Sequence, residues 1–405
     1  MLSIALQLAF DPSRFNQSST SRSTSTVRRG GLSTKKHETS NCPVKSPNSL
    51  FSPKTFCRTL FFATMTQQKT TSVDQAQSPY FFGIDVGGTG IKIGLTDDRG
   101  ATLGYSAIDT LEPQGPADAM RRVAEACRAI LDKLGLDASR VARAGLGTPG
   151  SQDIRKGMLI EPPNHPHWHH FPIVKSLEES LKLPVSFAND ANAAAFGEFW
   201  IGTGKIHDSM VLLTLGTGVG GGVIIDNELV VGRNSFGGEC GHMIIDPSPE
   251  ARLCAWGGGR GHLEAYASAS GVTARAREEL QAGAKSLLAS QIDKITAKRI
   301  FEAAEQGDPW SLKFIEQTGD YLAIGITSMV HMVDPGLVVL GGAMNFGGPN
   351  SPTGQRFLDS VRRGFEARTF QNVQAGTHIE FASLGADAGY IGAAGIARSD
   401  YHKAL

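Results

Sequence analysis

A chain of 405 residues with 39 Lys and Arg against 39 Asp and Glu has no formal net charge, so it carries no global basic field and nucleic acid is not its expected partner. No apolar run approaches the roughly 18 residues of a membrane helix, and five cysteines (Cys42, Cys57, Cys127, Cys240, Cys254) are an odd number that describes no disulfide framework. At this length two domains with a cleft between them are the default, in a soluble protein of the reducing cytoplasm.

The first 64 residues are rich in Ser, Thr and Arg, with Asp11 and Glu38 their only acidic residues. They read as a transit peptide, as a basic arm, or as a disordered or untranslated extension ahead of a start at Met65. The absence of helix-turn-helix periodicity speaks against the basic arm, and the last reading is preferred because MTQQKTTSVDQAQSP, from Met65, reads as a short polar leader into the first strand; residues 1–79 are set apart from the fold. The run Tyr80–Ile84 then predicts a strand ending at Asp85, a glycine-rich turn, and a second strand over Ile91–Leu95 closed by the turn Asp97-Asp98-Arg99-Gly100. From Pro116 to Gly135, Met120, Val123, Cys127, Ile130, Leu131 and Leu134 recur at spacings of three and four, so this is an amphipathic helix with Cys127 in the core.

Val141–Leu146 is a short buried strand. His165, His167, His169 and His170 around Trp168 alternate in a Pro-rich stretch without a defined ligand geometry, and read as a surface or cleft-rim loop. Around Phe187–Ala193 a strand gives way to an alanine-rich helix. Ser209–Leu215 breaks into Gly216–Gly222, resumes as Val223–Ile225, and turns at Asp226-Asn227. This repeats the plan seen at Asp85 about 130 residues earlier and suggests a duplicated domain whose halves face each other. A helix around Asp308–Met332, the turn Asp334-Pro335-Gly336, the strand Leu337–Leu340 ending in Gly341-Gly342, and a closely packed small-residue helix over Asp387–Ala397 complete the chain.

Glycine-rich loops after strands bind phosphate because glycine permits positive φ and close backbone approach, aiming successive N–H groups at an anion. The first loop offers Gly87, Gly88 and Thr89, the second Gly216, Thr217, Gly218 and Gly220, and the threonine hydroxyls can donate to phosphate oxygens. Asp85 is a carboxylate suited to Mg²⁺. Neither loop has the Lys-Ser/Thr of a Walker loop. Phosphoryl transfer further needs a carboxylate to take a proton from the attacking hydroxyl. Asp190 is the candidate, although its position at a strand-to-helix junction equally suits a helix N-cap.

Asp85-Val86-Gly87-Gly88-Thr89-Gly90, Asn189-Asp190-Ala191-Asn192, Leu215–Gly222 and Gly238-Glu239-Cys240-Gly241-His242, in that order, resemble the ROK family (repressors, open reading frames and sugar kinases) in its glucokinase branch, over about residues 80–398. The resemblance implies an α/β fold of the duplicated actin, Hsp70 and hexokinase type, ribonuclease H-like in each half, with an interdomain cleft. It implies ATP and Mg²⁺ as cofactors, Asp190 as the base on the 6-hydroxyl of a hexose, and Asn164, Asn189, Glu239, His242 and Glu264 as ligands of the sugar hydroxyls. Gly341 and Gly342 would line the adenine and ribose pocket. The expected division is 80–188 for a small domain, to which a helix over 388–402 returns, and 189–387 for a large one, in a homo-oligomer (dimer or tetramer) whose partners are sugar and nucleotide.

Kinases resembling this chain carry Cys-x-Cys-Gly-x-x-Gly-Cys before the last sugar-binding Glu, which with the His of Gly-His holds structural Zn²⁺. Here Trp256 stands at the second Cys position, His262 at the third, with one extra residue between. His242, Cys254 and His262 are acceptable zinc ligands with Cys240 as a candidate fourth, but a structural site wants a closed tetrahedral set, and the expectation leans against retention, with Trp256 filling the volume. Other hexoses, N-acetylmannosamine, and polyphosphate as donor remain open, since Gly88-Thr89-Gly90-Ile91-Lys92 resembles polyphosphate glucokinases. A sugar-responsive repressor is the distant alternative.

Overall fold

The computed structural model describes residues 70–405 apart from Pro163, Trp256 and Gly257. The reading of residues 1–64 and the packing role given to Trp256 lie outside the described residues.

Strands β1 (Tyr80–Val86), β2 (Gly90–Thr96) and β3 (Thr102–Asp109) form an antiparallel meander. The β2–β3 turn follows from one buried carboxylate: Asp97 accepts from the backbone N–H groups of Gln77, Arg99 and Ala101 at 3.0, 3.0 and 2.8 Å. Helix α1 (Pro116–Leu134) starts on proline, ends where Gly135 takes a left-handed conformation, and buries Met120, Val123, Cys127, Ile130 and Leu131, as its periodicity predicts. Burial pushes the Cys127 thiol up, so it stays a neutral core group. Strand β4 (Val141–Thr148) then lies parallel to β1; after a separate small hairpin of β5 (Gln152–Asp153) and β6 (Met158–Leu159) and helix α2 (Ile173–Leu181), β7 (Val185–Asn189), parallel to β4, completes a sheet of order β3-β2-β1-β4-β7.

After helix α3 (Asp190–Trp200) the plan repeats. Strands β8 (Met210–Leu215), β9 (Val219–Ile225) and β10 (Glu228–Leu229) form the second meander, with Asp226 and Asn227 both at positive φ in the hairpin turn. Helices α4 (Leu263–Ala267), α5 (Ala269–Gln281), α6 (Ala297–Glu305) and α7 (Pro309–Val333) follow. Strand β11 (Leu337–Gly341) is parallel to β8; after α8 (Pro352–Glu366) and α9 (Gln371–Gly376), β12 (His378–Phe381) is parallel to β11. The second sheet has order β10-β9-β8-β11-β12, the same as the first, which makes the duplication explicit.

The first sheet packs one face on α1 and α2, the second on a larger cluster that includes α4 to α8. Between the sheets run α3, whose Ala195 and Phe196 pack on β8, β9 and β11, and α10 (Ala388–Lys403), whose Ala394 and Ala397 pack on Phe81 of β1. The two helices touch through small residues: a Cβ on Gly392 would sit 1.6 Å from the Ala193 carbonyl oxygen. The small-residue composition of both segments is therefore what lets two inner helices share one layer.

Candidate active site

The parallel strands of both sheets end on the same layer, and their C-terminal ends carry the polar residues, the place where α/β sheets bind ligands. Asp85 stands one residue before the end of β1, Asp190 directly after β7, Thr214 near the end of β8 and Gly341 at the end of β11. Asp85, Asp190, Thr214, Gly341, Gly342 and Gly389 line one cleft of about 250 Å³.

Asp190 is the first residue of α3, but the helix is capped by its neighbour. Asn189 Oδ1 accepts the Ala191 N–H at 2.9 Å, and Asp190 Oδ1 shares that donor at 2.8 Å. The sequence left cap and base open for Asp190; the cap is Asn189, and one Asp190 oxygen remains for other partners. Burial raises the Asp190 pKa above the ordinary carboxylate range, opposed by the backbone N–H groups at the helix start. Asp85 is pushed up to about 6, first by burial and then by the neighbouring Asp190 charge, with Lys92 pulling the other way. A Cβ on Gly389 would meet the Asp85 carboxylate at 2.5 Å, so glycine there lets the start of α10 stand against it. Lys92 does not point at a loop N–H cradle: its ammonium donates to the Ala386 carbonyl.

In the first loop Gly87 N–H bonds the Gly90 carbonyl at 2.9 Å, and in the second Gly216 N–H bonds the Gly218 carbonyl at 3.0 Å. Positive φ, the reason expected for glycine, is not used in either loop. Room is: Cβ atoms on Gly88 or Gly216 would meet nothing within 4 Å, while one on Gly220 would lie 3.0 Å from Ala191 of α3. Thr89 and Gly218 complete the turns.

Gly216 and Thr217 line a second cavity, of about 840 Å³, together with Ala269, Thr273, Phe301 and Phe346. Asn345 lines both cavities, so they adjoin. Gly341 and Gly342 line the cleft with Asp85 and Asp190, and the residues just after them, Ala343 to Gly347, line the larger cavity. Its walls come from four separated segments of small and apolar residues, which no local motif announced.

Glu239 and His242 are partly exposed, with Glu239 Oε2 3.9 Å from His242 Nε2. Burial holds the Glu239 pKa up, the His242 charge lowers it, and Asp190 and Glu264 raise it, so these groups share one electrostatic neighbourhood. Glu264, on α4, is buried: Oε2 accepts the Val219 N–H at 2.9 Å and Oε1 the Cys254 thiol at 3.2 Å. Asn164 is exposed on the turn before Pro166.

His242, Cys254 and His262 converge, with one ligand atom of each within 4.8 Å of the others and the two imidazole Nδ1 atoms 3.3 Å apart. The short bridges Ile244–His262 and Leu253–Arg260 bring them together. Two imidazoles and a thiol facing one point are donors that suit Zn²⁺, three of the four that a closed structural set needs. Cys240, the candidate fourth ligand, is buried against Gly221 and is not in the group.

The loop holding the other histidines is less superficial than its composition suggests. His165 and Trp168 are buried; His167, His169 and His170 are exposed.

A family model described as ROK family matches residues 81–400. A glucokinase of Thermotoga maritima is 37% identical over 320 residues, 78% of this chain and 96% of its own length. Among solved structures, a ROK hexokinase from Thermus thermophilus aligns with a TM-score of 0.67 at 32% identity, covering 80% of this chain and 99% of its own. A ROK family glucokinase from Streptomyces griseus, in complex with glucose and AMPPNP, aligns with a TM-score of 0.62 at 32% identity, over 79% of this chain and 99% of its own.

Proposed function

The chain belongs to the ROK family, and from that premise we propose that it is an ATP-dependent hexose kinase that converts glucose to glucose 6-phosphate. The observation that carries the reading is the pair of half-buried carboxylates, Asp85 and Asp190, lining one cleft that adjoins a cavity large enough for a nucleoside. Relatives named glucokinase, similar over nearly their full length, support the substrate.

In this reading the donor's base and ribose enter the larger cavity, and its phosphates meet Gly216, Thr217, Gly218 and Gly220 on one side and Gly87, Gly88 and Thr89 on the other, with Gly341 and Gly342 beneath. Asp85 would hold Mg²⁺, which when bound neutralises phosphate charge. Asn164, Asn189, Glu239, His242 and Glu264 orient the sugar. Asp190 takes the proton of the 6-hydroxyl as that oxygen bonds the γ-phosphorus and the bond to the bridging oxygen breaks. His242, Cys254 and His262 would hold a structural Zn²⁺ that fixes the turn bearing Glu239. Residues 80–188 with 388–402, and 189–387, are the two bodies that close on the substrates and exclude water. No described helix is long and apolar enough to cross a membrane; a cytoplasmic homo-oligomer is the form expected.

A coupled assay of glucose, fructose and N-acetylmannosamine against ATP and polyphosphate tests this. Glucose with ATP should give the highest kcat/KM; turnover of no hexose with either donor would overturn the reading.

A further inference from the structure

The histidines around Trp168 are a sequence motif that the reaction does not use. His165 directly follows the exposed Asn164, yet only 1% of its surface is accessible. Its ring packs on Trp168 with centroids 4.8 Å apart, and lies beside the backbone at Gly87 in the first glycine loop. The Gly87 carbonyl accepts from Thr110 Oγ1 at 2.7 Å, which ties the loop to the 110–112 segment. Trp168 donates its indole N–H to the Glu112 carbonyl at 3.1 Å, and the Glu112 carboxylate takes the backbone N–H and the ring of His167 at 2.7 and 2.8 Å. One turn is thus strapped to the 110–112 segment and, through a single ring, set against the phosphate loop.

That ring is under-used. Burial disfavours its cationic form, so it is neutral, with one donor and one acceptor nitrogen. Its Nε2 is buried and has no hydrogen-bond partner, an arrangement protein interiors rarely keep. A leucine would fill much of the same space and leave no polar atom unsatisfied.

We propose that His165 is a positioning residue that couples the two substrate subsites: a sugar seated against Asn164 shifts the His165 ring and with it the Gly87 end of the phosphate loop, so that sugar tightens donor binding. The inference rests on the proposed roles of Asn164 toward sugar and of the Gly87 loop toward phosphate. By linkage the effect is reciprocal and is read as one ratio, the Kd of the donor without sugar over that with it.

The test measures AMPPNP and glucose binding by calorimetry, each with and without the other, in the wild type, His165→Leu, His165→Gln and Asn164→Ala. In the wild type glucose should tighten AMPPNP by about fivefold or more, the lower end of common coupling. In His165→Leu the ratio should fall to within about twofold of one while glucose affinity alone changes by less than about threefold. Gln keeps a donor beside the Gly87 backbone and should keep the ratio. A leucine variant that does not fold is replaced by His165→Phe. An equal ratio in wild type and the apolar variant, no coupling in the wild type, or equal loss in the Gln and apolar variants overturns the proposal. If Asn164→Ala leaves glucose affinity unchanged, the sugar-site reading fails and the coupling falls with it; if it weakens glucose while the apolar variant keeps the ratio, the coupling alone fails.

Discussion

The Cys254 thiol donates to Oε1 of Glu264 across 3.2 Å, while Oε2 of the same carboxylate holds the backbone N–H of Val219 at 2.9 Å. A proposed metal ligand, a proposed sugar ligand and the strand that leaves the second phosphate loop therefore meet at one buried side chain. Disturbing any of the three should be felt at the others.

Glu264→Gln keeps the shape but weakens an acceptor that serves a buried N–H. Charged hydrogen bonds of this kind contribute about 1.5–3 kcal/mol, so the KM for glucose should rise about 10- to 100-fold, with a smaller change in kcat. Steady-state kinetics checks it; an unchanged KM would remove Glu264 from the sugar site.

Elemental analysis of purified protein should find about one zinc per chain. Cys254→Ala should carry well under one equivalent and show a raised glucose KM, because the turn bearing Glu239 and His242 loses its anchor. Metal-free wild-type protein with full activity would show that packing alone holds the turn.

Asp190→Asn keeps a hydrogen-bonding side chain in the cleft but cannot accept a proton. Its kcat should drop at least about 10²–10⁴-fold while glucose binding, read by calorimetry, stays near wild type. Because burial raises the Asp190 pKa and the ionised form is the base, the acid limb of kcat/KM should lie above the ordinary carboxylate range. Equal losses of binding and turnover would assign Asp190 a structural role.

Asp85, with its pKa pushed up to about 6 from 3.8, is held in the folded chain at the expense of its charged form. The sign follows: its contribution is most favourable below the unfolded value and is lost as pH rises through about 6. Asp85→Asn should therefore stabilise the unliganded protein at pH 8 by up to about 3 kcal/mol, gain little at pH 4, and weaken Mg-nucleotide binding. Thermal melts at the two pH values decide; equal gains at both would show that ionisation is not the cause.

The two strand–loop–strand units were legible because glycine and threonine mark them, and the α1 core because its apolar spacing admits one helix face. Asp190 could be placed at its junction but not distinguished from a cap, since that depends on which of two adjacent side chains takes the Ala191 N–H. The burial of His165 and Trp168 was hidden, because alternation of His and Pro looks like a solvated loop until Glu112 and Gly87, 53 and 78 positions away, close over it. The nucleoside-sized cavity was equally silent: alanines, threonines and phenylalanines from distant segments acquire meaning only when α5, α6 and the 343–347 turn meet.

Helix α10 covers β1 and β4 from the far end of the polypeptide, and its Arg398 and His402 clasp Asp98 in the β2–β3 turn at 2.9 and 2.7 Å. Without residues 388–403 that side of the first sheet would be bare. Phe81, completely buried in the folded chain, packs there on Ala394 and Ala397, so the first sheet does not complete its core from its own stretch of sequence.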